Sequence, residues 1–360
     1  MTGPIVLGGG PAGAAAAIVL AQAGAGPVVL ERSRDTGDAL CGGFLSWRTL
    51  DRLDALGVSR AALSGHEVRM VRLFAGARRA EAALPGAAIG VSRRRLDMLM
   101  IAAAERAGAA VERGVAVRRI EDTRRLSLSD GATLEPETMF VATGKSDVPG
   151  LGRARDDPDP ALGLRVRLRA HPGLEQITAG AIELHLFPGG YAGLVLQEGG
   201  EANLCLAVRK SRLAQADGDP ASLLRRLGNG NPALAERLAF MASMPEIDAI
   251  GAVPYGWIAR ETAPGRYRIG DQAGVIPSLA GEGMGIAVAS GVAAAKAWLS
   301  GEGAPSFQHR LAGRLARPVG VAATIWRIAE SRAGGQVGTA ALAAFPALTR
   351  LAARATRIGD

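Results

Sequence analysis

The sequence predicts an α/β fold with three parts: a parallel sheet flanked by helices, an inserted antiparallel sheet and a helical C-terminal segment. Three observations support this prediction. A strand–glycine turn–helix–strand pattern occupies residues 3–31, apolar and polar residues alternate with period two in residues 162–171 and 180–208, and helical patterns fill residues 304–358. The chain of 360 residues, 48% of them hydrophobic, is long enough to bury substantial cores.

The first glycine turn has the spacing of a phosphate-binding loop. It follows a short apolar strand at residues 5–7 and precedes a helix of small apolar residues at 14–23. In the pattern G-x-G-x-x-G, Gly8 allows the turn, Gly10 lets backbone N–H groups approach a pyrophosphate, and Gly13 lets helix and strand pack closely. The positive end of the helix favours the phosphate charge.

The second strand, residues 27–30, ends in an acidic residue. Glu31 can accept hydrogen bonds from both hydroxyls of a ribose and would repel a 2′-phosphate. Strand, glycines, helix, second strand and terminal acid therefore predict binding of an adenine dinucleotide, either FAD or NAD.

A second glycine-rich turn, "GDQAGVIPSLAGEGMGIA" at residues 270–287, decides between these two. It follows a predicted strand at 267–269 and leads into a small-residue helix from about Gly283. Asp271 can bind a ribityl hydroxyl, and free N–H groups at the helix start can face a flavin reduced to its anion. An enzyme that binds only NAD has no use for such a second site, so the pair of motifs predicts FAD.

These motifs resemble those of the FAD-dependent oxidoreductases of the aromatic-hydroxylase fold, and within them the geranylgeranyl-reductase-related branch. The segment at residues 92–122 is similar to the branch's helix and adenine-side strand, and "CGGFLSW" resembles its Cys-Gly segment. The matching positions are Arg93, Leu96, Asp97, Gly108, Val117, Cys41, Gly270, Asp271, Ala273, Pro277, Gly281 and Gly283.

The motifs and the resemblance together imply a set of FAD-binding residues, with Gly281 to Met284 beneath the isoalloxazine ring. The set is Gly8, Gly10, Pro11, Ala12, Gly13, Glu31, Arg32, Cys41, Arg93, Val117, Gly144, Asp271, Pro277, Gly281, Gly283 and Met284.

The resemblance implies a Rossmann-like FAD-binding domain with an inserted antiparallel substrate-binding sheet and C-terminal helices. We assign residues 1–150 and 247–300 to the discontinuous FAD-binding domain, 151–246 to the substrate sheet and 301–360 to the C-terminal helices. Within the sheet, Tyr191 follows two glycines, so its phenol either points into a substrate cavity or packs on the core as an edge-strand residue.

The function implied is that of an FAD-dependent oxidoreductase. We expect an NAD(P)H-dependent monooxygenase that hydroxylates a phenolic or lipid-like substrate through a flavin C4a-hydroperoxide. The alternatives are a reductase or dehydrogenase acting on a C=C bond of a prenyl or lipid substrate, and a non-enzymatic flavin-binding redox protein. Thr143 stands where the fold usually has Asp before Gly144, and no second strand–GxGxxG–helix unit follows residue 150. Electrons would come from a transient encounter with NAD(P)H or from a separate reductase.

Other classes of function find little support. Two isolated cysteines and four single histidines lack metal-ligand spacing, and the arginines that give a net charge of +8 are not interleaved with aromatics as in nucleic-acid binders. Because the first strand begins near residue 3, we expect no leader peptide and a cytoplasmic protein. The basic C-terminal helix, with Arg350, Arg354 and Arg357, can touch an anionic bilayer, but we expect it to pack its apolar side on its own domain.

Overall fold

The computed structural model of the chain describes residues 3–121, 124–153, 157–241 and 246–359. Residues 154–156, in the predicted crossover to the substrate sheet, and Asp122, which ends the 92–122 segment, lie outside these ranges. The strands are β1 Ile5–Leu7, β2 Val28–Glu31, β3 Phe44–Leu45, β4 His66–Ala75, β5 Arg78–Gly90, β6 Ala110–Arg113, β7 Val117–Ile120, β8 Leu126–Leu128, β9 Thr133–Leu134, β10 Met139–Val141, β11 Ala161–Leu168, β12 Gly180–Phe187, β13 Gly190–Leu196, β14 Ala202–Arg209, β15 Ile247–Val253 and β16 Arg266–Arg268.

The helices, like the strands, are numbered in chain order. They are α1 Pro11–Gln22, α2 Trp47–Ala55, α3 Arg60–Leu63, α4 Arg93–Arg106, α5 Pro172–Thr178, α6 Lys210–Ala214, α7 Pro220–Gly230, α8 Pro232–Leu238, α9 Gly283–Leu299, α10 Ala304–Ala329, α11 Arg332–Ala344 and α12 Ala347–Ala355. No helix within the described ranges is long and apolar enough to cross a membrane.

The first sheet is parallel and has five strands in the order β16-β10-β1-β2-β6. Its strands are short, and all except the exposed edge strand β6 are largely buried, as expected of a sheet covered on both faces. One face packs on α1, α4 and α9 through side chains such as Val6 and Phe140. The other face packs on the small sheet β7-β8-β9 through side chains such as Leu7 and Val141. This is the Rossmann-like arrangement that the sequence predicts.

The second sheet has eight strands in the order β15-β11-β14-β13-β12-β4-β5-β3. Its pairings are antiparallel except for β12 with β4, which run parallel, so the sheet is mixed. The predicted α/β fold class is confirmed, but the sheet extends beyond residues 151–246. It also includes β3, β4 and β5 from residues 44–90 and β15 from 247–253. Without them β11 and β12 would be unpaired edge strands; β15 pairs with β11, and β4 pairs with β12.

Proline and glycine often interrupt helices, and from the sequence we expect breaks in the C-terminal segment at Pro318, at "AGGQ" (residues 333–336) and at Pro346; the structure has only the last of these. Helix α10 runs unbroken through Pro318, because side chains on both sides of the proline are buried in the core and hold the helix together despite the lost backbone hydrogen bond. The glycines at 334–335 do not end a helix either. They lie in the first turn of α11, where the Ser331 hydroxyl caps the helix by accepting from the N–H of Gly334 at 3.0 Å. A break does occur at Pro346, between α11 and α12.

Candidate functional site

The N-terminus of α1 is built to receive an anion. Gly8 has φ of +104°, and a Cβ there would lie 2.7 Å from the carbonyl oxygen of Ala142. Gly10 is the N-cap and contributes no side chain, so the first N–H groups of α1 have no intrahelical or side-chain partner. A Cβ on Gly13 would lie 1.9 Å from the carbonyl oxygen of Gly8. Glycine at these positions therefore gives a tight turn whose backbone is exposed to a phosphate.

Glu31 stands at the end of β2, beside this turn. Its carboxylate accepts the N–H of Gly9 at 2.7 Å and the N–H of Ser33 at 2.9 Å. A carboxylate has about four lone-pair positions, so two remain for ribose hydroxyls. The neighbouring Arg32 donates to the hydroxyl of Ser146 at 3.1 Å.

Arg93, the first residue of α4, places a positive charge at the same end of the sheet. Its guanidinium donates to both carboxylate oxygens of Asp97, at 3.0 and 2.8 Å, one helical turn later. The guanidinium lies 3.4 Å from the point that a Cβ on Gly10 would occupy. The fork geometry and permanent charge of arginine suit a diphosphate at the start of α1.

The late glycine-rich segment folds as two short 3-10 turns followed by α9. The turn Gly270–Gln272 carries Asp271, and the turn Ser278–Ala280 leads through Gly281, with φ of +62°, into the helix. The N-cap residue Glu282 makes no side-chain cap, and a Cβ on Gly283 would meet no described atom within 4 Å. The start of α9 is thus a second uncapped helix N-terminus with open space in front of it.

Helices α1 and α9 lie against one another, which brings the two glycine segments together. A Cβ on Gly291 of α9 would lie 2.2 Å from the carbonyl oxygen of Ala12 in α1. Only a helix without a side chain at this position can approach so closely.

A single cavity of about 1050 Å³ unites nearly all the residues that the sequence singles out. Those that line it are Gly8, Gly10, Pro11, Ala12, Glu31, Arg32, Cys41, Arg93, Val117, Gly144, Tyr191, Asp271, Gly281, Gly283 and Met284. Gly13 does not line it and acts in packing α1 on β1. Pro277 does not line it either, and its carbonyl accepts the N–H of Ala280 at 3.1 Å within the turn.

The half of the cavity away from Glu31 has aliphatic walls. Strands β4, β5 and β12 of the second sheet form one side, and α10, α11 and α12 form the other. The side chains from the sheet are Val71, Leu73, Leu84, Ile182, Leu184 and Leu186, and those from the helices include Ala322, Ile325, Ala341, Leu342 and Ala352. Such a chamber suits a long apolar group.

A hydroxyl cluster breaks this apolar surface next to the late turn. Tyr191 donates to the hydroxyl of Ser278 at 2.8 Å, and Tyr255 shares a hydrogen bond with the same hydroxyl at 2.7 Å. Tyr191 also packs edge-on against Trp326, with ring centroids 5.7 Å apart. Burial raises the pKa of both phenols above the ordinary value, although the hydrogen bond to Ser278 lowers it somewhat. Both tyrosines therefore remain neutral hydrogen-bond donors at physiological pH.

Sequence reasoning singled out Tyr191 but missed Tyr255 and Ser278. The three meet only because β13, the segment after β15 and the second 3-10 turn converge in the fold. A tyrosine after Pro254 and a serine after Pro277 have no local signal of such a role.

Sequence reasoning also missed a buried ion pair beneath α9. The carboxylate of Glu282 lies 3.0 Å from Nε of Arg357, and both side chains are almost completely buried. Arg357 also donates to the carbonyl of Ala280 at 2.8 Å. Burial raises the pKa of Glu282 and lowers that of Arg357, while their mutual attraction opposes both shifts. Arg357 thus connects the C-terminal segment to the late turn. The sequence grouped Arg357 with Arg350 and Arg354 on a basic helix face, but its side chain is buried.

Helix α12 also differs from the expected packing. Small and polar residues, including Ala352 and Ala353, face the cavity. Leu348 lines its edge but is 42% exposed, and Leu351 is 61% exposed. The expectation that the helix buries its apolar side on its own domain is therefore wrong for these leucines. Because α12 covers a cavity and not a packed core, its inward side needs no large side chains.

Two positions near the cofactor end have plain structural roles as well. The hydroxyl of Thr143 donates to the carbonyl of Ser146 at 2.8 Å, and the carbonyl of Cys41 accepts from the side chain of Asn203 at 2.9 Å. Both cysteines are free.

The residues present fit FAD. Two uncapped helix starts face one cavity, Glu31 has lone pairs left for a ribose, and Arg93 stands beside the first helix start. Gly10 and Gly283 leave room where a side chain would intrude on a ligand.

Comparison with known proteins agrees with this geometry. The FAD binding domain family matches residues 1–132. Among solved structures, PqsL, a probable FAD-dependent monooxygenase of Pseudomonas aeruginosa, superposes with a TM-score of 0.73, covering 94% of this chain and 99% of that chain at 19% sequence identity. The N-terminal part of the chain therefore matches an FAD binding domain, and the whole chain has the fold of FAD-dependent oxidoreductases. The resemblance noted in the sequence is confirmed at this level.

Further similar proteins differ in their reactions. Halogenase PltM, solved in complex with phloroglucinol and FAD, has a TM-score of 0.75 at 13% identity, covering 91% of this chain and 76% of that chain. Digeranylgeranylglycerophospholipid reductase 2 of Methanopyrus kandleri is 24% identical over 298 residues, and the match covers 78% of this chain and 72% of that protein. The fold is therefore shared by enzymes named for oxygenation, halogenation and reduction.

Proposed function

We propose that this protein is an NAD(P)H-dependent monooxygenase that hydroxylates a phenolic, lipid-like substrate. The observation that supports it is the position of the hydroxyls of Tyr191, Tyr255 and Ser278. They lie in an otherwise aliphatic chamber, directly before the turn that leads into α9. A substrate with one polar end and a long apolar body matches this chamber.

In this proposal the chain holds FAD along the cavity. Gly8, Gly10, Pro11, Ala12 and Arg93 surround the diphosphate, Glu31 binds the ribose, Val117 and Arg32 lie at the adenine end, and Cys41, Gly144, Asp271, Gly281, Gly283 and Met284 surround the ribityl chain and flavin. Gly13 and Pro277 act from behind, by shaping the two turns. Bound FAD supplies the redox chemistry, in which one atom of O2 enters the substrate, the other leaves as water, and NAD(P)H provides two electrons.

The hydroxyl cluster orients the substrate. Tyr191 donates its single O–H to Ser278, which can donate in turn to Tyr255. This leaves the O–H of the protonated Tyr255 to donate to a phenol oxygen and stabilise negative charge on it as the ring becomes more nucleophilic. The aliphatic walls hold the apolar body and exclude water from the reacting carbon. The uncapped N-terminus of α9 favours negative charge on the reduced cofactor.

The alternative is reduction of a C=C bond in a prenyl or lipid substrate, and the same neutral phenols favour it. One alkene carbon would receive a hydride from the reduced cofactor, and the other a proton from Tyr255. Tyr255 would regain a proton from Ser278 as Ser278 takes the proton of Tyr191. The similarity to a digeranylgeranylglycerophospholipid reductase supports this alternative.

Product analysis separates the two reactions. Purified holoprotein is incubated with NADH or NADPH, isotopically labelled O2 and either alkylphenols of increasing chain length or a polyprenyl alcohol. We expect a phenol product that contains one labelled oxygen atom. A polyprenyl product heavier by two hydrogen atoms would contradict hydroxylation and support the reductase alternative. A flavin that neither nucleotide reduces would favour a separate reductase or the non-enzymatic alternative.

Variants of the hydroxyl cluster test its role. We expect Tyr191→Phe and Tyr255→Phe each to lower kcat/KM about 10-fold. Tyr255→Phe removes a hydrogen bond to a developing charge, and Tyr191→Phe removes the donor that orients Ser278 toward Tyr255. Tyr267→Phe is the matched control, since Tyr267 lies in β16 and donates to the carbonyl of Glu302, away from the chamber. Equal kcat/KM in all four proteins would contradict the role of the cluster.

A further inference from the structure

The C-terminal helices carry most of the large apolar side chains that are exposed in the described part of the chain. Among the described residues, five of the seven large apolar side chains that are exposed belong to this segment. They are Ile328, Val337, Phe345, Leu348 and Leu351. Together with the arginines Arg327, Arg332, Arg350 and Arg354 they make up the C-terminal face. Val337 and Phe345 are 67% and 66% exposed, which is unusual for side chains that have a core available nearby.

The apolar part of this face includes two side chains at the edge of the cavity. Ile328 of α10 and Leu348 of α12 both line the cavity and are 52% and 42% exposed, so they stand where its wall meets the outside. Val337 lies one helical turn from Ala341, which also lines the cavity. The aliphatic chamber therefore opens onto an aliphatic surface.

The helix that closes this surface is amphipathic in three sectors. At 3.6 residues per turn, Leu348 and Leu351 lie between a cavity-facing side, with Ala352 and Ala353, and a basic side with Arg350 and Arg354. A helix lying in the plane of a bilayer has this arrangement, with leucines directed into the acyl region and arginines at the headgroups.

The charge of the face is of one sign. The sequence contains no acidic residue between Glu330 and Asp360. Within the described part of the chain, no carboxylate forms an ion pair with Arg327, Arg332, Arg350 or Arg354. Two copies of such a face would repel each other, whereas an anionic membrane surface is complementary to it.

We propose that the C-terminal face binds the surface of an anionic lipid bilayer, and that the chamber takes its substrate directly from that bilayer through the opening between Ile328 and Leu348. This rests on the proposed function only in that the substrate is lipid-like. A substrate drawn along this route never has to expose its apolar body to water.

The test is co-sedimentation of the full-length holoprotein with large vesicles. We expect binding to vesicles of equal parts phosphatidylcholine and phosphatidylglycerol, decreasing as salt is raised, and little binding to phosphatidylcholine alone. The double variant Arg350→Glu, Arg354→Glu should bind these vesicles at least about thirty-fold more weakly than wild type. The matched control Arg118→Glu, Arg119→Glu makes the same charge change on exposed residues of β7 and should bind like wild type.

A second variant tests the apolar part without changing charge. Phe345→Asn combined with Leu351→Asn should also weaken vesicle binding, and retained FAD in every variant shows that the fold is intact. Hydrogen exchange should slow in α11 and α12 when vesicles are added. The proposal is overturned if the wild-type protein does not bind anionic vesicles, or if the control substitutions at Arg118 and Arg119 weaken binding as much as those at Arg350 and Arg354. It is also overturned if the effect of Phe345→Asn with Leu351→Asn is to dissociate a dimer. None of these measurements involves turnover, so failure here leaves the proposed reaction standing, and an inactive enzyme that binds vesicles leaves this surface standing.

Discussion

The carboxylate of Glu31 illustrates how one residue serves both the fold and the ligand. It accepts two backbone N–H groups, and one of them belongs to Gly9 in the glycine turn. The ion therefore fixes the shape of the turn while its remaining lone pairs are free for a ribose.

We expect Glu31→Ala to raise the Kd for FAD about ten- to a hundred-fold, because each lost hydrogen bond to a charged group weakens binding appreciably. Titration of apoprotein with FAD, followed by flavin fluorescence, measures this. Glu112→Ala is the control, since Glu112 is exposed on the neighbouring strand β6 and pairs in register with Leu30. An unchanged Kd in Glu31→Ala would contradict the ribose assignment.

At the residue scale, sequence alone predicts the parts of the site that depend on local geometry. The glycines at 8, 10 and 13 and the acid at 31 fall within one strand–helix–strand unit, so their spacing determines their positions. Tyr255 and Arg357 could not be found in this way. Their partners, Ser278 and Glu282, are distant in sequence, and only the assembled fold brings them within hydrogen-bonding distance.

At the scale of elements, the packing of α1 on α9 joins the two halves of the cofactor site. Both helices consist largely of small residues, which allows their backbones to come close. The sequence predicts both helices and their small faces, but not the point of contact, because no local pattern reports which glycine meets which carbonyl.

Gly291→Ala should lower the free energy of unfolding by about 2–3 kcal/mol, because its new methyl group would overlap the carbonyl of Ala12 and push the helices apart. The variant should also lose FAD more readily. Gly230→Ala, at the end of α7, is the matched control and should be neutral or slightly stabilising, since no described atom lies within 4 Å of its new Cβ. Equal urea midpoints for the two variants would show that the helices do not approach as closely as described.

At the scale of the whole molecule, a buried charge cluster joins helix α8 to the neighbouring strands β12 and β4 in the middle of the second sheet. Glu183 of β12 is fully buried and receives two hydrogen bonds of 2.9 Å from Arg237 of α8. Arg72 of β4 lies 3.5 Å away, and His185 contacts the same carboxylate at 3.3 Å. Burial alone would raise the pKa of Glu183, but the hydrogen bonds from His185 and Arg237 and the charge of Arg237 lower it to about 2.

This shift predicts acid sensitivity. Because the pKa is lower in the folded chain than the ordinary 4.5, Glu183 stabilises the fold above that value and loses its contribution as pH falls towards about 2. The contribution is on the order of 3 kcal/mol. Glu183→Gln should therefore be less stable than wild type at pH 7, and the difference should shrink progressively in acid.

Urea unfolding from neutral pH to about pH 3 measures the difference in free energy between wild type and Glu183→Gln. Glu67→Gln removes an exposed carboxylate from β4 and serves as the control, with little change expected at any pH. A difference that stays constant with pH would mean that Glu183 does not carry its charge in the folded protein.

The pairing of Glu282 with Arg357 has a consequence for how the protein is made. During synthesis the carboxylate of Glu282 leaves the ribosome well before its counter-ion, Arg357. This arginine lies 77 residues beyond Ala280, whose carbonyl accepts a hydrogen bond from it. Until that arginine emerges, burying Glu282 would leave a charge without a partner, so we expect the turn before α9 to remain hydrated and loosely packed. The nascent chain can thus admit a ligand at this turn before Arg357 fixes it in place.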